Sequence, residues 1–392
     1  MARILFTWEL GGGSGHVRPY VDIITTLLTQ GHEVSFALRN LHVAQPVLGD
    51  LNVRCFQAPY LLPRFCDVVL PVDCSSKVLV NNGYDHADHL SGLIAGWRNL
   101  YEVIAPDVII FDYSPTAMLA ARNWPAGRIA IGTGFHLPPS IDPLPRFDGT
   151  YDEQAHGLDR RLLAVINEAG AHYGVQPLAR VSELFAADRT LLRTFPELDH
   201  YQQRREGEYV GVLPAPTGAE PQWPAAPGKR VFAYLKPFET LPALLKILHE
   251  SRHSTIVHGD GIPAALEQQF DTETITFSKK PVDMKGVCRD ADFAITNAGH
   301  GTAAELLLGG VPSLLLPLAA EQDLVAANVE RLGAGLVAPK RAPAGMAQKI
   351  SRLCLEPDFR TAAAAFADRY REFDPGEFRN RLLSAVAEKV AA

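Results

Sequence analysis

The stretch that decides the fold runs from Thr296 to Gly335 and reads TNAGHGTAAELLLGGVPSLLLPLAAEQDLVAANVERLGAG. With the residues just before it, this stretch predicts a strand at 293–296, a glycine-rich turn, a helix that opens near Thr302, a second strand that Pro317 closes, and a second helix. Strands that alternate with helices indicate a parallel α/β sheet, and such sheets bind ligands at the carboxyl ends of their strands. We therefore expect a ligand site at the turn.

The turn at residues 297–301 suits an anionic ligand. A helix N-terminus presents unpaired backbone N–H groups and about half a positive charge. Glycines let a phosphate come close to that backbone. Glu305, on the first turn of the helix, would reach a ribose diol. We expect a diphosphate to lie on the backbone amides of Gly299, His300, Gly301 and Thr302.

The same stretch resembles the donor-binding signature of the UDP-glycosyltransferase family, in its bacterial macrolide and natural-product branch. That signature runs His-x-Gly-x-Gly-Thr, then Glu, then Gly-Val-Pro, then Pro, then Asp-Gln. The elements found here at matching spacing are Thr302, Glu305, Gly310-Val311-Pro312, Pro317 and Gln322. Because five elements match, an ordinary βαβ unit with glycines used only for packing is the weaker interpretation.

Two positions depart from that signature. Asn297 stands where the family has a histidine that contacts the donor phosphate, and Glu321 stands where it has an aspartate that holds sugar hydroxyls. Asparagine still donates a hydrogen bond but carries no charge. His300 either compensates for the missing histidine or is a solvated turn residue. The resemblance implies that Glu321 and Gln322, on a loop after the second strand, face the sugar, with the longer Glu321 reshaping its pocket.

The start of the chain carries a second match. Residues 11–37 read GGGSGHVRPYVDIITTLLTQGHEVSFA and follow an apolar strand at 3–8. This segment resembles the opening of the same family, Gly-His-Val-x-Pro followed by Arg-Gly-His-x-Val. The resemblance implies that His16 is the catalytic base, at the start of a helix that runs to about Gln30, and that His32 is structural. A helix N-cap or a structural imidazole is the alternative for His16. We expect Gly13 and Ser14, in the flexible loop, to contact the donor.

A base that takes the proton of an attacking hydroxyl gains from a carboxylate that orients it and stabilises its protonated form. Asp112 closes the apolar strand at 107–112, where the family has this partner, so we assign it as the orienting residue. An N-cap for the helix that Pro115 leads is the alternative. Asp107, at the opposite end of the strand, should be structural.

Composition favours a cytoplasmic enzyme. The chain has 392 residues, which suggests two domains, and its net charge of −7 without a basic patch makes nucleic acid an unexpected partner. We expect no signal segment, because the sequence enters a strand without a charged or apolar leader pattern, and no apolar run reaches the roughly 18 residues of a transmembrane segment. The five cysteines are scattered and match neither a zinc site nor a disulfide framework. We expect no cofactor beyond the nucleotide sugar as co-substrate, and no required metal.

Proline and glycine divide the chain. Strands alternate with helices over 1–211, the proline-rich segment 212–228 predicts a linker, and a fresh α/β series fills 229–375. The resemblance implies the GT-B architecture, with two Rossmann-like, doubly wound domains that face each other across a cleft. The first domain would bind the acceptor and the second the nucleotide sugar, and the helix at 376–392 would cross back to the first.

Two further expectations concern the ligands. Met284 stands where the family often has a glutamine whose backbone meets the nucleotide base, so we expect a backbone contact there. The segments 56–98 and 132–185 are rich in proline and aromatic residues, which suits a hydrophobic acceptor, although such residues more often form core. The aromatic candidates are Tyr60, Phe65, Trp97, Phe135, Phe147 and Tyr151.

The sequence therefore predicts an inverting glycosyltransferase that moves a hexose from a UDP- or TDP-sugar to a hydroxyl of a small-molecule, hydrophobic acceptor, with His16 as base. A sugar-nucleotide epimerase or hydrolase of GT-B fold is an alternative, which the pairing of His16 with Asp112 argues against. A non-catalytic sugar-nucleotide-binding protein, in which Asn297 marks decay of the donor site, is the third interpretation.

Overall fold

The computed structural model describes residues 1–12, 14–62, 66–150, 153–213, 218–338 and 343–391, without the side chains of Ser14, Pro343 and Ala344. The chain divides into two compact units. The first consists of Met1–Phe195, Tyr201–Gly211 and Gly376–Ala392, and the second of Pro196–His200 and Val212–Pro375. Within the expected linker, residues 214–217 lie outside the described ranges, and Ala219 forms an isolated bridge with Val282 of the second unit.

The first unit is built on a parallel sheet of strand order β3-β2-β1-β4-β5-β6-β7. The strands are β1 (Arg3–Trp8), β2 (Glu33–Leu38), β3 (Val53–Gln57), β4 (Val108–Asp112), β5 (Gly127–Gly132), β6 (Arg189–Leu192) and β7 (Glu208–Tyr209). The helices are α1 (Val21–Thr29), α2 (Leu41–Leu48), α3 (Ser75–Leu79), α4 (Ala87–Ile104), α5 (Pro115–Ala120) and α6 (Glu153–Ala171). Strand β4 is buried along its whole length, as expected for a strand of a parallel sheet covered on both faces.

The second unit repeats this arrangement with a parallel sheet of order β10-β9-β8-β11-β12-β13. Its strands are β8 (Arg230–Tyr234), β9 (Ser254–His258), β10 (Ile275–Ser278), β11 (Phe293–Thr296), β12 (Ser313–Leu315) and β13 (Gly335–Val337). Its helices are α7 (Leu241–Glu250), α8 (Ala264–Phe270), α9 (Met284–Asp290), α10 (His300–Leu308), α11 (Ala320–Arg331), α12 (Pro343–Leu355) and α13 (Asp358–Arg369).

A final helix, α14 (Glu377–Ala391), belongs to the first unit, where it contacts α1 and strands β4, β5 and β6. The Phe378 side chain is fully buried, and its ring lies 6.3 Å from that of Tyr20. Arg379 donates a hydrogen bond of 2.9 Å to the hydroxyl of Thr26. The sheet of the first unit is therefore covered by a segment that follows the whole second unit in sequence.

Three sequence-based boundaries were wrong. Helix α1 starts at Val21 rather than at His16, and two short 3-10 turns precede it; Pro19 lies in the second of these and has no backbone N–H to donate. Glu321 and Gln322 lie on the first turn of α11, not on a loop. Helix α10 starts at His300, which moves Glu305 from the first turn to the second. Among the described residues, no helix is both long and apolar enough to cross a membrane.

Candidate functional site

In each unit the strand order reverses between two adjacent strands, and we call this place the switch point. It lies between β1 and β4 in the first unit and between β8 and β11 in the second. Doubly wound sheets bind ligands beside the carboxyl ends of such strands. Trp8 is in register with Asp112, and Tyr234 is in register with Thr296. The predicted base partner and the predicted donor turn thus lie at the switch points of their own units.

His16 and Asp112 lie together at the first switch point. Nδ1 of His16 is 3.0 Å from Oδ2 of Asp112, and their side chains are only 10% and 2% exposed. The 3-10 turn at residues 14–16 carries the imidazole over the end of β1, where its ring stacks on Trp8 with centroids 5.0 Å apart. The N-caps of α1 and α5 are Tyr20 and Ser114, so the interpretation of His16 or Asp112 as a helix cap is wrong.

Asp112 is surrounded by donors and cations. The Tyr20 hydroxyl donates a hydrogen bond of 2.7 Å to Oδ2, and Nδ1 of His136 lies 3.8 Å from Oδ1. Burial alone would raise the pKa of Asp112, but His16, Arg193 and His136 outweigh it and hold the pKa well below its usual value. Asp112 is therefore a buried carboxylate that stays charged, which is the state that stabilises a protonated imidazole.

Gly11 makes room for the imidazole. Its φ of 85° lies in the left-handed region, and a Cβ on it would come within 3.0 Å of Nε2 of His16. A side chain at this position would be strained and would meet the ring. With Nδ1 turned toward Asp112, Nε2 is the ring nitrogen that can take a proton from a substrate.

His136 is a residue of this site that the sequence interpretation missed. Its ring stacks on that of Tyr113 at 4.3 Å and lies 5.2 Å from the ring of His16. The chain can place it there because a Cβ on Gly132 would lie 2.9 Å from the Cβ of His136. The available signal was its position just after β5, a neighbour of β4 in the sheet, since adjacent parallel strands end at the same edge.

The start of α10 forms the candidate site of the second unit. Its N-cap, Gly299, makes no side-chain hydrogen bond, and Ala298 before it has a left-handed φ of 57°. A Cβ on Gly299 or on Gly301 would meet nothing within 4 Å. The space beside these two glycines is therefore open, which suits the close approach of the expected diphosphate to the start of the helix.

Two side chains of the donor turn, residues 297–301, are engaged within the second unit. Oδ1 of Asn297 accepts a hydrogen bond of 2.7 Å from the backbone N–H of Lys236, and its Nδ2 donates one of 2.9 Å to the carbonyl of Leu316. Asn297 thus connects the ends of three strands, and its expected contact with phosphate stays a prediction. His300 is buried and stacks on His200 at 5.6 Å, so its interpretation as a solvated turn residue is wrong.

The other predicted donor residues surround the same strand ends. Oε1 of Gln322 accepts a hydrogen bond of 2.7 Å from the N–H of Leu318, whereas Glu305 and Glu321 are half-buried on their helices. Met284 is the first residue of α9, so its backbone N–H lies at a helix start. Gly13 lies outside the described residues, as do the side chain of Ser14 and the aromatic candidates Phe65 and Tyr151. Contacts of these residues with a donor remain predictions.

Two groups of side chains in the described part of the chain are close enough to share a metal ion. One is His16, Asp112 and His136, which are buried, and the other is Asp67, Asp85 and His86. Imidazole and carboxylate ligands together suit zinc better than magnesium. A metal on the first group would occupy the predicted base.

Comparison with known proteins adds a family match. Residues 238–373 match the model of the glycosyltransferase family 28 C-terminal domain. The UDP-N-acetylglucosamine–N-acetylmuramyl-(pentapeptide) pyrophosphoryl-undecaprenol N-acetylglucosamine transferase of Thiobacillus denitrificans is 36% identical over 83 residues. That match spans 20% of this chain and 23% of the relative, so about a quarter of the relative's length is covered.

Solved structures match nearly the whole chain. The glycotransferase of kitacinnamycin has a TM-score of 0.69 at 19% identity, over 98% of this chain and all of that one. Glycosyltransferase SnogD from Streptomyces nogalater has a TM-score of 0.66 at 19% identity, over 98% and 99%. The spinosyn rhamnosyltransferase SpnG with thymidine diphosphate has a TM-score of 0.67 at 18% identity, over 97% and 100%. The predicted GT-B fold is confirmed, and with the family model so is the resemblance to glycosyltransferases.

Proposed function

We propose that this chain, which has the GT-B fold and matches the glycosyltransferase family 28 C-terminal domain over residues 238–373, is a glycosyltransferase that moves a sugar from a nucleotide-diphosphate sugar to a hydroxyl of a small hydrophobic molecule, with inversion at the anomeric carbon. His16 is the base and Asp112 orients it. The observation that carries the proposal is the separation of 3.0 Å between Nδ1 of His16 and Oδ2 of Asp112 in a buried setting.

The chemistry follows from which ring nitrogen is engaged. Asp112 lies at Nδ1 of His16, so Nε2 takes the proton of the acceptor hydroxyl as its oxygen attacks the anomeric carbon. The bond from that carbon to the phosphate oxygen breaks, and the nucleoside diphosphate leaves. The imidazolium that results is stabilised by the charged Asp112 carboxylate. A single displacement inverts the carbon, so an α-linked donor gives a β-linked product.

The donor turn supplies what a nucleotide sugar requires. The amides at the start of α10 meet the diphosphate, Glu305 the ribose, and Glu321 with Gln322 the sugar hydroxyls. Because backbone N–H groups meet the diphosphate charge, we propose that no metal is needed. The spinosyn rhamnosyltransferase was solved with thymidine diphosphate, which supports a nucleoside diphosphate as the donor moiety.

A row of aromatic rings beside His16 supports a hydrophobic acceptor. The Tyr113 ring lies 6.4 Å from the His16 ring and 6.1 Å from that of Phe135, which lies 5.1 Å from that of Phe147. All three aromatic side chains are half-buried and so present apolar surface close to the base. The spinosyn rhamnosyltransferase was also solved with the spinosyn aglycone, which supports a small-molecule acceptor.

The proposal is tested by a screen of UDP- and TDP-hexoses against hydroxylated hydrophobic acceptors, scored by nucleotide release. Proton NMR of each product then gives the anomeric configuration. We expect inversion of the donor linkage. Retention would refute the single displacement. Nucleotide release without a glycosylated product would favour a hydrolase, and the absence of any nucleotide-induced rise in melting temperature would remove the donor site.

A further inference from the structure

Glu9 is a buried carboxylate that the proposed chemistry leaves unused. It directly follows β1 and is only 3% exposed. Its Oε1 accepts a hydrogen bond of 2.7 Å from the N–H of Thr116, and its Oε2 accepts bonds from the N–H of Ala117 at 3.2 Å and from the indole of Trp97 at 2.9 Å. An acidic group in this position stabilises the N-terminus of a helix, here α5.

The Glu9 carboxylate replaces the side-chain N-cap that α5 lacks. Ser114, the N-cap of α5, makes no side-chain cap hydrogen bond, since its hydroxyl donates instead to the carbonyl of Asp112 at 3.1 Å. Pro115 begins the helix and has no backbone N–H. The two amides that remain, those of Thr116 and Ala117, are the ones Glu9 binds. Strand β1 is therefore tied to the helix that begins just after Asp112.

The chain between Glu9 and His16 is held at further points. The N–H of Leu10 donates to the carbonyl of Tyr113 at 3.1 Å, and Arg39 donates to the carbonyl of Glu9 at 3.0 Å. Gly11 then lies directly against Nε2 of His16. A shift of Glu9 would move Gly11 relative to Tyr113, and with it the base relative to Asp112.

We infer that Glu9 is a positioning residue for the reaction, whose carboxylate fixes the segment leading to His16 against the helix following Asp112. This inference rests on the proposed function. Glu9 acts through the backbone and does not touch substrate. Both carboxylate oxygens accept from backbone N–H groups, so an amide of the same shape can satisfy only one of them.

The surroundings of Glu9 bring the pH at which its carboxyl group is protonated close to neutral. Burial raises the pKa of Glu9 to about 7, although the N–H groups of α5 and the indole of Trp97 favour the ionised form. Tyr84 and Tyr101 also face it, and burial followed by the charge of Glu9 raises their pKa well above 10, so both stay neutral. Within the described ranges, Thr116 and Ala117 of α5 also face Glu9, and Arg39 faces the Glu9 carbonyl. Protonated Glu9 loses one acceptor, as Glu9→Gln does.

The test compares Glu9→Gln, His16→Ala and Asp107→Asn with the unaltered enzyme at pH 8, where Glu9 is ionised. Asp107 is the matched control, because it is a carboxylate that binds a backbone N–H, that of Arg3 at 2.7 Å, at the opposite end of β1 and β4. We expect Glu9→Gln to lower kcat by roughly ten- to a hundredfold with donor KM unchanged, the range that a misplaced base gives. Asp107→Asn should keep its kcat.

The pH dependence of kcat distinguishes a positioning role of Glu9 from a loss of folding in Glu9→Gln. As the pH falls through about 7, the unaltered enzyme should lose kcat through protonation of Glu9, which removes one acceptor. The ratio of kcat between the unaltered enzyme and Glu9→Gln should therefore be largest at pH 8 and become smaller below pH 7. A kcat within twofold of normal in Glu9→Gln at pH 8, a kcat ratio that does not change with pH, or an equal loss in Asp107→Asn would each overturn the inference. Normal turnover by His16→Ala would instead refute the proposed function.

Discussion

The backbone N–H of Lys236, which follows β8, donates a hydrogen bond of 2.7 Å to Oδ1 of Asn297, which follows β11. A second bond runs from Nδ2 of Asn297 to the carbonyl of Leu316 after β12. One buried amide thus holds together three strand ends at the switch point of the second unit. The residue that departs from the histidine of the family signature is therefore part of the framework of the donor turn.

Asn297→Ala should leave the N–H of Lys236 and the carbonyl of Leu316 unpaired, at a cost of about 1–3 kcal/mol in the free energy of unfolding. Urea denaturation measures this loss. Asn297→Asp keeps an acceptor for Lys236 but adds a negative charge beside the donor turn. If Asn297 also contacts phosphate, nucleotide affinity should fall further in the aspartate variant than in the alanine variant. Equal affinities measured by calorimetry would contradict that contact.

His16→Ala should lower kcat by about 10²–10⁴-fold and leave donor affinity nearly intact, because it removes the base without touching the donor turn. Asp112→Asn should lose less, since the base remains. Steady-state kinetics with the donor varied separates kcat from KM. His32→Ala is the matched control, since Nδ1 of His32 accepts a hydrogen bond from the N–H of Ala2, and this variant should turn over normally.

Glu305→Ala should weaken nucleotide binding by about 1–3 kcal/mol, because the ribose hydroxyls lose their acceptor. Glu305→Gln keeps one acceptor and should lose less. Calorimetry with a nucleoside diphosphate measures both. A 2′,3′-dideoxy nucleotide should bind equally to the unaltered and alanine proteins; an unchanged affinity of Glu305→Ala for the normal nucleotide would remove the assignment.

The folding stability should fall as pH rises through the range in which Glu9 ionises. The pKa of Glu9 rises from 4.5 to about 7 on folding, so the protonated form favours the folded state and its contribution is lost between those values. At about 1.4 kcal/mol for each pKa unit, the expected loss is on the order of 3 kcal/mol. Urea denaturation of the unaltered protein and of Glu9→Gln across pH 4.5–8 checks it. If Glu9 titrates normally when folded, the difference in the free energy of unfolding between the two proteins should be the same at every pH.

Activity should survive treatment with a chelator such as EDTA, because backbone amides rather than a metal meet the diphosphate charge. The assay should be run before and after removal of the chelator, with magnesium and zinc added back separately. Full loss of activity that magnesium restores would show that the donor needs a metal. Loss restored by zinc would point to the group of His16, Asp112 and His136.

The order of helices and strands could be read from the sequence because apolar runs and glycine or proline breaks mark each of them. The pairing of His16 with Asp112 was implied by the family resemblance, and the rule that parallel strands place their carboxyl ends at one edge of the sheet agrees with it. The role of Asn297 could not be read in the same way. Its two partners are backbone groups at Lys236 and Leu316, and backbone groups carry no signal in the side-chain pattern.

The contacts of Asp112 could not be predicted from the sequence pattern either. Tyr20 and His136 reach it from different parts of the chain, and neither spacing is periodic. Glu9 lies in a segment whose glycines suggest flexibility, yet its carboxylate is held by three donors. In each case the missing information was tertiary, since a polar side chain buried in the fold must find partners that lie far away in sequence.

Helix α14 gives the first unit an unusual order of assembly. Its Phe378 packs against Tyr20, the residue whose hydroxyl donates to Asp112. During synthesis the ribosome makes the whole second unit before α14. Part of the apolar face of the first sheet therefore stays uncovered until α14 has been made. Because domains generally fold as the chain emerges, the second unit can be complete before the first is sealed. The support behind the orienting carboxylate is therefore among the latest contacts of the nascent protein to form.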